Sequence, residues 1–248
     1  MPKPTFHNLP DDKRERILEI AIEEFSTYAY ADFSISRFVA RAEIAKGSFY
    51  QYFENKLDLF RWLMWNVAGQ RKLEYIRAHP PPPGADLFTA LEYMSIAGLK
   101  FGLANPRLSA AAAGIWTPSA DPELNAPREE LMAMGFRNMR AMLAEAAAAG
   151  QVRPEVDLDT ATHLLITVIQ RVLDAELMRR MGVDVIQFCA HPELAEQFSE
   201  EEQRTMVHEI MDVLRYGLAT TMSDGKPHRW SDHLSLTPNK GGDRGGTP

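Results

Sequence analysis

The sequence predicts an all-α protein, and three observations carry the prediction. Apolar residues recur at three- and four-residue spacing from the first long segment onward, and no run alternates as a strand would. Ser34 and Asn55 stand where two of these runs begin, and Gly150 and Gly182 where two others end, the residue types that cap and stop helices. Residues 34–56 spell two short helices joined by a tight turn, then a second turn and the opening of a longer helix. The predicted architecture is an N-terminal helix-turn-helix domain of three helices followed by a larger helical domain.

The first long helix is expected from Pro10 to Tyr28. Pro10 and the pair Asp11–Asp12 suit a helix opening, and Ile17, Leu18, Ala21, Ile22 and Phe25 form its inner stripe. Ser34 then caps a short helix that buries Ile35, Phe38, Val39 and Ala42. Glu43 and Ile44 make the turn, and a second short helix runs from Ala45 to Tyr52. Phe49 and Phe53, four apart, face inward, which leaves Lys46, Gly47, Ser48, Tyr50, Gln51 and Tyr52 pointing outward. Glu and Lys would be expected on an ordinary solvated face. Small, hydroxyl and aromatic groups instead suit a helix lying flush in a DNA major groove. Lys46 can reach a phosphate or guanine, Gly47 lets the backbone approach, and the hydroxyls can bond phosphate or base. Asn55 caps the next helix, where Lys56 adds charge to free N–H groups as a phosphate clamp.

That next helix should span Asn55 to Arg77, with Leu57, Phe60, Leu63, Met64 and Val67 inward, and stop at His79 before four consecutive prolines, 80–83. Further helices are predicted at Asp86–Ala104, Arg107–Trp116, Glu123–Ala149, Leu158–Met181 and Ser199–Met222, with a mixed segment at 183–198. Residues 223–248, with Gly and Pro and no hydrophobic period, read as a disordered tail. The predicted division is 1–56 for DNA binding, 57–222 for ligand binding and dimerisation, and 223–248 for the tail.

The stretch from Lys13 to Phe60 resembles the N-terminal domain of the tetracycline-repressor (TetR) family of bacterial transcription regulators. The resemblance lies in RERILEIAIEEF at 14–25 and FSISRFVARAEIAKGSFYQYFENKLDLF at 33–60, and KGSFYQYFENKLDL is its most specific part. It implies that Ser34, Tyr52 and Lys56 bind phosphates and that Ser36, Lys46, Gly47, Ser48, Tyr50 and Gln51 lie against the groove. The chain departs from the family pattern at Glu43, where Gly is usual, and at Ala45, where Ser or Thr usually caps. A non-Gly residue in such a turn and a missing cap each cost on the order of 1 kcal/mol.

Composition bounds the rest. A chain of 248 residues with 45% hydrophobic content can bury a full core as one or two domains. No stretch approaches the roughly 20 apolar residues of a membrane span, and MPKPTFHNLPDD has no apolar core that would read as a secretory signal. The single cysteine, Cys189, excludes an intramolecular disulfide framework and fits a cytoplasmic location. The net charge of −7 has to be localised. Residues 1–56 carry net −1, and within 34–56 Arg37, Arg41, Lys46 and Lys56 against Glu43 and Glu54 leave +2. Asp159 with His163, and His208 with Asp212, are paired at helical spacing, but two ligands do not make a metal site. No nucleophile elbow, phosphate loop or dinucleotide fingerprint is present, so neither catalysis nor a cofactor is expected.

Leu164, Leu165, Val168, Val172, Ala175 and Leu177, with Met206, Ile210, Val213, Leu214 and Leu218, make the last two helices apolar enough to pair with a second copy. A two-fold homodimer through helices about 158–181 and 199–222 would place two recognition helices one DNA turn apart on a near-palindromic operator. Met94, Phe101, Trp116, Phe136 and Met139 are candidate pocket residues, since Met with aromatics can line an adaptable apolar site. The resemblance implies a small-molecule inducer, here of apolar character, whose binding shifts the helix beginning at Asn55 and releases DNA. The alternative is a DNA-bound scaffold controlled by a protein partner.

Overall fold

The computed structural model describes residues 2–116, 121–183, 187–188 and 191–218. Among them every regular element is helical. A short helix α1 (Pro4–His7) precedes α2 (Asp11–Thr27), α3 (Ile35–Arg41) and α4 (Lys46–Tyr52). The chain then runs without a break through α5 (Lys56–Trp62), a π-helical stretch (Leu63–Gly69) and α6 (Gln70–Ala78). After the prolines come α7 (Leu87–Ala104), α8 (Pro106–Trp116), α9 (Asn125–Ala148) and α10 (Leu158–Thr167). A second π stretch (Val168–Val172) leads into α11 (Leu173–Met181), and α12 (Glu200–Leu218) is last. The tail at 223–248 and Cys189 lie outside the described residues.

Local chemistry sets the ends of these helices. Ser34 accepts from the Arg37 N–H, Asn55 from Asp58, Asp86 from Thr89 and Asp157 from Thr160, each three residues on. These bonds satisfy donors that the helix itself leaves open. Gly182 closes α11 at φ +67°, a left-handed conformation that glycine adopts without strain. Glu43 in the turn is the sole non-glycine at positive φ among the described residues, at +53°. The chain thus accepts the strain its sequence implied, with the Arg16 guanidinium 2.5 Å from the Glu43 carboxylate.

Two cores hold the molecule. The first is aromatic: Phe6, Phe25, Phe33, Phe38, Phe49, Phe53 and Phe60 are buried together under α1 to α5. It also takes in Leu108, Ala111 and Ile115 of α8, which lies along α2. The second is aliphatic and built from α7, α9, α10, α11 and α12, with Leu91, Leu143, Leu165, Leu177, Met206 and Met211 inside. No packing boundary falls at residue 56, because the α5 helix and α8 both contribute to the first core. Helix Leu87–Ala104 is long and apolar enough to pass a membrane-span test on length and composition, yet α6, α8 and α12 all pack against it.

The sequence predicts the first helix at Pro10 and no structural role for the residues before it. The structure corrects this. Pro4 opens α1 and Phe6 is fully buried, its ring 5.0 Å from Phe53 and 4.9 Å from Trp62. Lys3 and Thr5 reach the end of α4: the Lys3 N–H donates to the Tyr52 carbonyl at 2.8 Å, the Lys3 ammonium to the Tyr50 carbonyl at 2.7 Å, and the Thr5 hydroxyl to the Gln51 carbonyl. A helix of seven residues is too short to persist alone. Here three of its last carbonyls are capped by a segment some 47 residues earlier, with a lysine at the negative end of its dipole.

Candidate nucleic-acid interface and ligand cavity

Helix α4 stands on the aromatic core through Phe49, which is fully buried. Its opposite face is open. Ser36, Lys46, Gly47, Tyr50 and Gln51 are exposed, and Ser34, Ser48 and Lys56 are half-buried. Tyr50 retains 45% of its surface. A Cβ placed on Gly47 would meet nothing within 4 Å. Glycine lowers helix stability relative to alanine by about 1 kcal/mol, and no neighbour inside the protein requires it there. Its use fits a surface that something outside must approach closely.

Two expectations for this face need correction. Tyr52 does not point outward: it is only 6% exposed and packs near Phe6, because residues 4–7 cover that side of α4. Its ring belongs to the core. Arg37 and Arg41 do not add loose charge either. Glu24, fully buried, takes Arg37 Nε at 2.7 Å and Arg41 Nη1 at 2.9 Å, and Arg41 also pairs with Glu23. The two arginines neutralise a carboxylate that could not otherwise be buried, and so lock α3 onto α2. Lys56 is also engaged: its ammonium donates to the Tyr30 carbonyl at 3.1 Å and lies 4.0 Å from the Tyr30 ring centre. Lys46 has no ion pair or hydrogen bond among the described residues, which leaves it available to an external anion.

Tyr30 also ties the head to the body. Its hydroxyl donates to Glu123 at 2.7 Å, just ahead of α9, and burial together with that carboxylate raises its pKa well above the ordinary tyrosine range. Arg61 on α5 reaches Glu130 on α9 at 2.5 Å. The helix leaving the head is therefore braced against α9.

A cavity of about 350 Å³ opens in the body, between the continuous helix 56–78 and helices α7, α8 and α11, a size within the usual range for small-molecule sites. Met64, Ala68 and Gly69, at the π stretch, form one wall, and Phe101, Leu103, Leu108, Ile115, Leu131 and Leu177 are among the others. A Cβ on Gly69 would come 3.1 Å from the Met64 carbonyl, so the wound π turn leaves little room there. Interruptions of this kind often mark functional segments.

Of the five residues expected to line a pocket, Phe101 does so. Met94 is half-buried outside the cavity, Met139 packs against the aliphatic core, and Phe136 lies 4.6 Å from the His163 ring. Helical position alone could not say which face of α9 turns toward α10. The side chain of Trp116 lies outside the described residues. Sequence reasoning missed Lys72 and Asp174, both in the cavity wall. Both are exposed to solvent at its edge, yet the surrounding protein lowers the Lys72 pKa by desolvation, with Asp174 partly opposing, and raises that of Asp174, with Lys72 partly opposing. The Asp–His pairs at helical spacing have other partners: Asp159 meets Arg140 at 2.5 Å, and His208 faces Glu92 at 3.1 Å as well as Asp212 at 3.5 Å.

An open, glycine-relieved recognition helix on a rigid three-helix head, joined by one continuous helix to a hollow helical body, defines a helix-turn-helix DNA-binding regulator. Residues 17–63 match the family model described as bacterial regulatory proteins, tetR family. The chain is 24% identical over 180 residues to the probable acrEF/envCD operon repressor of Escherichia coli (strain K12), covering 69% of this chain and 79% of that protein. Among solved structures it resembles a TetR family transcriptional regulator from Chloroflexus aurantiacus J-10-FL, with 29% identity, coverage of 88% and 99%, and a TM-score of 0.67. It also shares its fold with the transcriptional regulator FadR from Bacillus subtilis, solved in complex with stearoyl-CoA, at 17% identity, coverage of 82% and 98%, and a TM-score of 0.60. The N-terminal domain is thus of the tetR type, and the whole chain shares the fold of TetR family transcriptional regulators.

Proposed function

We propose that this regulator is a homodimeric repressor, cytoplasmic and without catalytic activity, that leaves a near-palindromic operator when a small, largely apolar molecule enters the cavity. The observation that carries this reading is the helix from Lys56 to Ala78: its first turn sits in the head and its π stretch lines the cavity. A ligand that prefers a shifted position of this helix lowers DNA affinity by linkage, since it stabilises the conformation that DNA does not. The cavity favours a small molecule over a protein as the controlling partner. The repressor role of the Escherichia coli relative and the stearoyl-CoA carried by the Bacillus subtilis fold neighbour support the same reading.

Ser34, Ser36, Lys46, Gly47, Ser48, Tyr50 and Gln51 are the proposed DNA contacts, with Lys56 a lesser one because Tyr30 already holds it. Leu164, Val168 and Val172 recur every fourth residue along α10 and the second π stretch. Leu164 is 46% exposed and Val172 40%, while Val213 on α12 is 52% exposed. A second copy covering these helices removes that apolar surface from water. The test selects bound fragments from the host genome with the full chain and measures operator affinity by fluorescence anisotropy, with and without apolar metabolite extracts. A single palindromic site released by an extract fraction is the expected result. Binding only to random DNA, or release only by a protein fraction, rejects the proposal.

A further inference from the structure

The cavity wall is apolar except at three side chains. Ser109 already donates its hydroxyl to the Gly102 carbonyl at 3.2 Å. Lys72 and Asp174 are the charged pair, and neither has an ion pair or hydrogen bond among the described residues. Lys72 owes its position to Gly98. A Cβ at residue 98 would stand 3.2 Å from Lys72 Cε and 3.7 Å from Nζ, so the missing side chain lets the lysine stem lie against α7. Lys72 is exposed to solvent at the edge of this apolar cavity, its ammonium offering three donors and no acceptor. An acid group lying in the cavity would accept charge-assisted hydrogen bonds from it. Asp174 does not supply that anion by direct pairing; it sits nearby and opposes a second negative charge.

We propose that the cavity takes an amphipathic monoanion, its apolar body against Phe101, Leu103 and Leu131 and its one acid group on the Lys72 ammonium. This deepens, and rests on, the ligand-responsive reading above. An acid head is favoured over a cationic one because Lys72 belongs to the helix that begins in the head, so gripping it acts directly on the DNA-reading unit. Asp174 belongs to α11 and offers no such lever. The recess at Gly98 receives Lys72 and the end of Ile76, both on that same helix.

Three probes of one chain length decide the matter: decanoate, decanol and decyltrimethylammonium, titrated by calorimetry into the full chain. Decanoate is expected to bind about tenfold more tightly than decanol, as a charge-assisted hydrogen bond implies, and the cation most weakly. Lys72→Met should reduce decanoate to the affinity of decanol and leave decanol unchanged. Gly98→Ala, which crowds only the flexible end of Lys72, should weaken decanoate selectively and serves if Lys72→Met does not fold. Asp174→Asn should tighten decanoate. Tightest binding of the cation, or an acid preference that survives Lys72→Met, overturns the inference while leaving an apolar ligand in place. Failure of all three probes, with DNA binding intact, overturns the ligand reading itself.

Discussion

The reading head and the hollow body solve opposite problems with the same element. In the head, seven phenylalanines share one core, and five of the six fully buried phenylalanines, Phe6, Phe38, Phe49, Phe53 and Phe60, belong to it, Phe88 of the body being the sixth. Flat rigid rings fill that core, and Glu24 ties α2 and α3 through two arginines. The body relies mainly on Leu and Met, holds one π stretch and borders the other, and leaves about 350 Å³ unfilled. A device that places side chains in a groove needs a fixed geometry; one that admits a guest needs room and alternative packings. The contrast teaches that a signal can pass between them as rigid-body motion of the head, with the deformation confined to the body.

Truncation of a core side chain tests the contrast most severely. Phe49→Ala should destabilise the head by about 3–5 kcal/mol, the range for losing a fully buried aromatic, whereas Phe101→Ala, already beside a void, should cost less. Urea unfolding of both variants measures it, and equal losses would erase the distinction between packed head and yielding body. On the surface of the head, Lys46→Ala and Tyr50→Ala should each weaken operator binding by about 1–3 kcal/mol without moving the unfolding midpoint. Equal weakening on random DNA would remove Tyr50 from the base-reading set.

Gly47→Ala separates folding from reading. Open space around that position predicts unchanged or slightly raised stability, by up to about 1 kcal/mol, together with weaker operator binding as the methyl meets the groove. Improved stability with full operator affinity would show that nothing approaches Gly47 closely. Lys56→Ala should cost about 0.5–1 kcal/mol of head stability through its lost contact with the Tyr30 ring, and flatten the salt dependence of DNA binding by less than the one unit expected of a dedicated phosphate contact. A full unit would mean that Lys56 leaves Tyr30 when DNA binds.

The smallest effect lies in the body. Glu176 accepts hydrogen bonds from Arg179 and Arg180, and its pKa falls from 4.5 to about 2. Arg180 also reaches Glu209 on α12 at 2.5 Å, so the cluster pins α11 to its neighbour. A depressed carboxylate stabilises the fold above its unfolded pKa and ceases to do so as pH falls through the folded one. The melting difference between the natural chain and Glu176→Gln should therefore be constant near neutral pH and shrink between about 4.5 and 2. A difference that grows on acidification contradicts this assignment.

Much was legible before any coordinates. Periodicity and capping residues located the helices, because hydrogen bonding within a helix and the pattern of its buried stripe are local properties of the chain. A recognition helix from about Ala45 to Tyr52 followed from the same local reasoning and is observed over Lys46–Tyr52, while positive φ at Glu43 followed from the family pattern, which usually has Gly there. What the sequence could not decide was which partner each side chain would meet. Tyr52 went inward because residues 4–7 fold back over α4, and Arg37 and Arg41 gave their charge to Glu24, partners distant along the chain. The cavity and its Lys72–Asp174 pair exist only because four helices meet around Gly98 and Gly69, and that meeting is set by packing between elements, which no local pattern encodes.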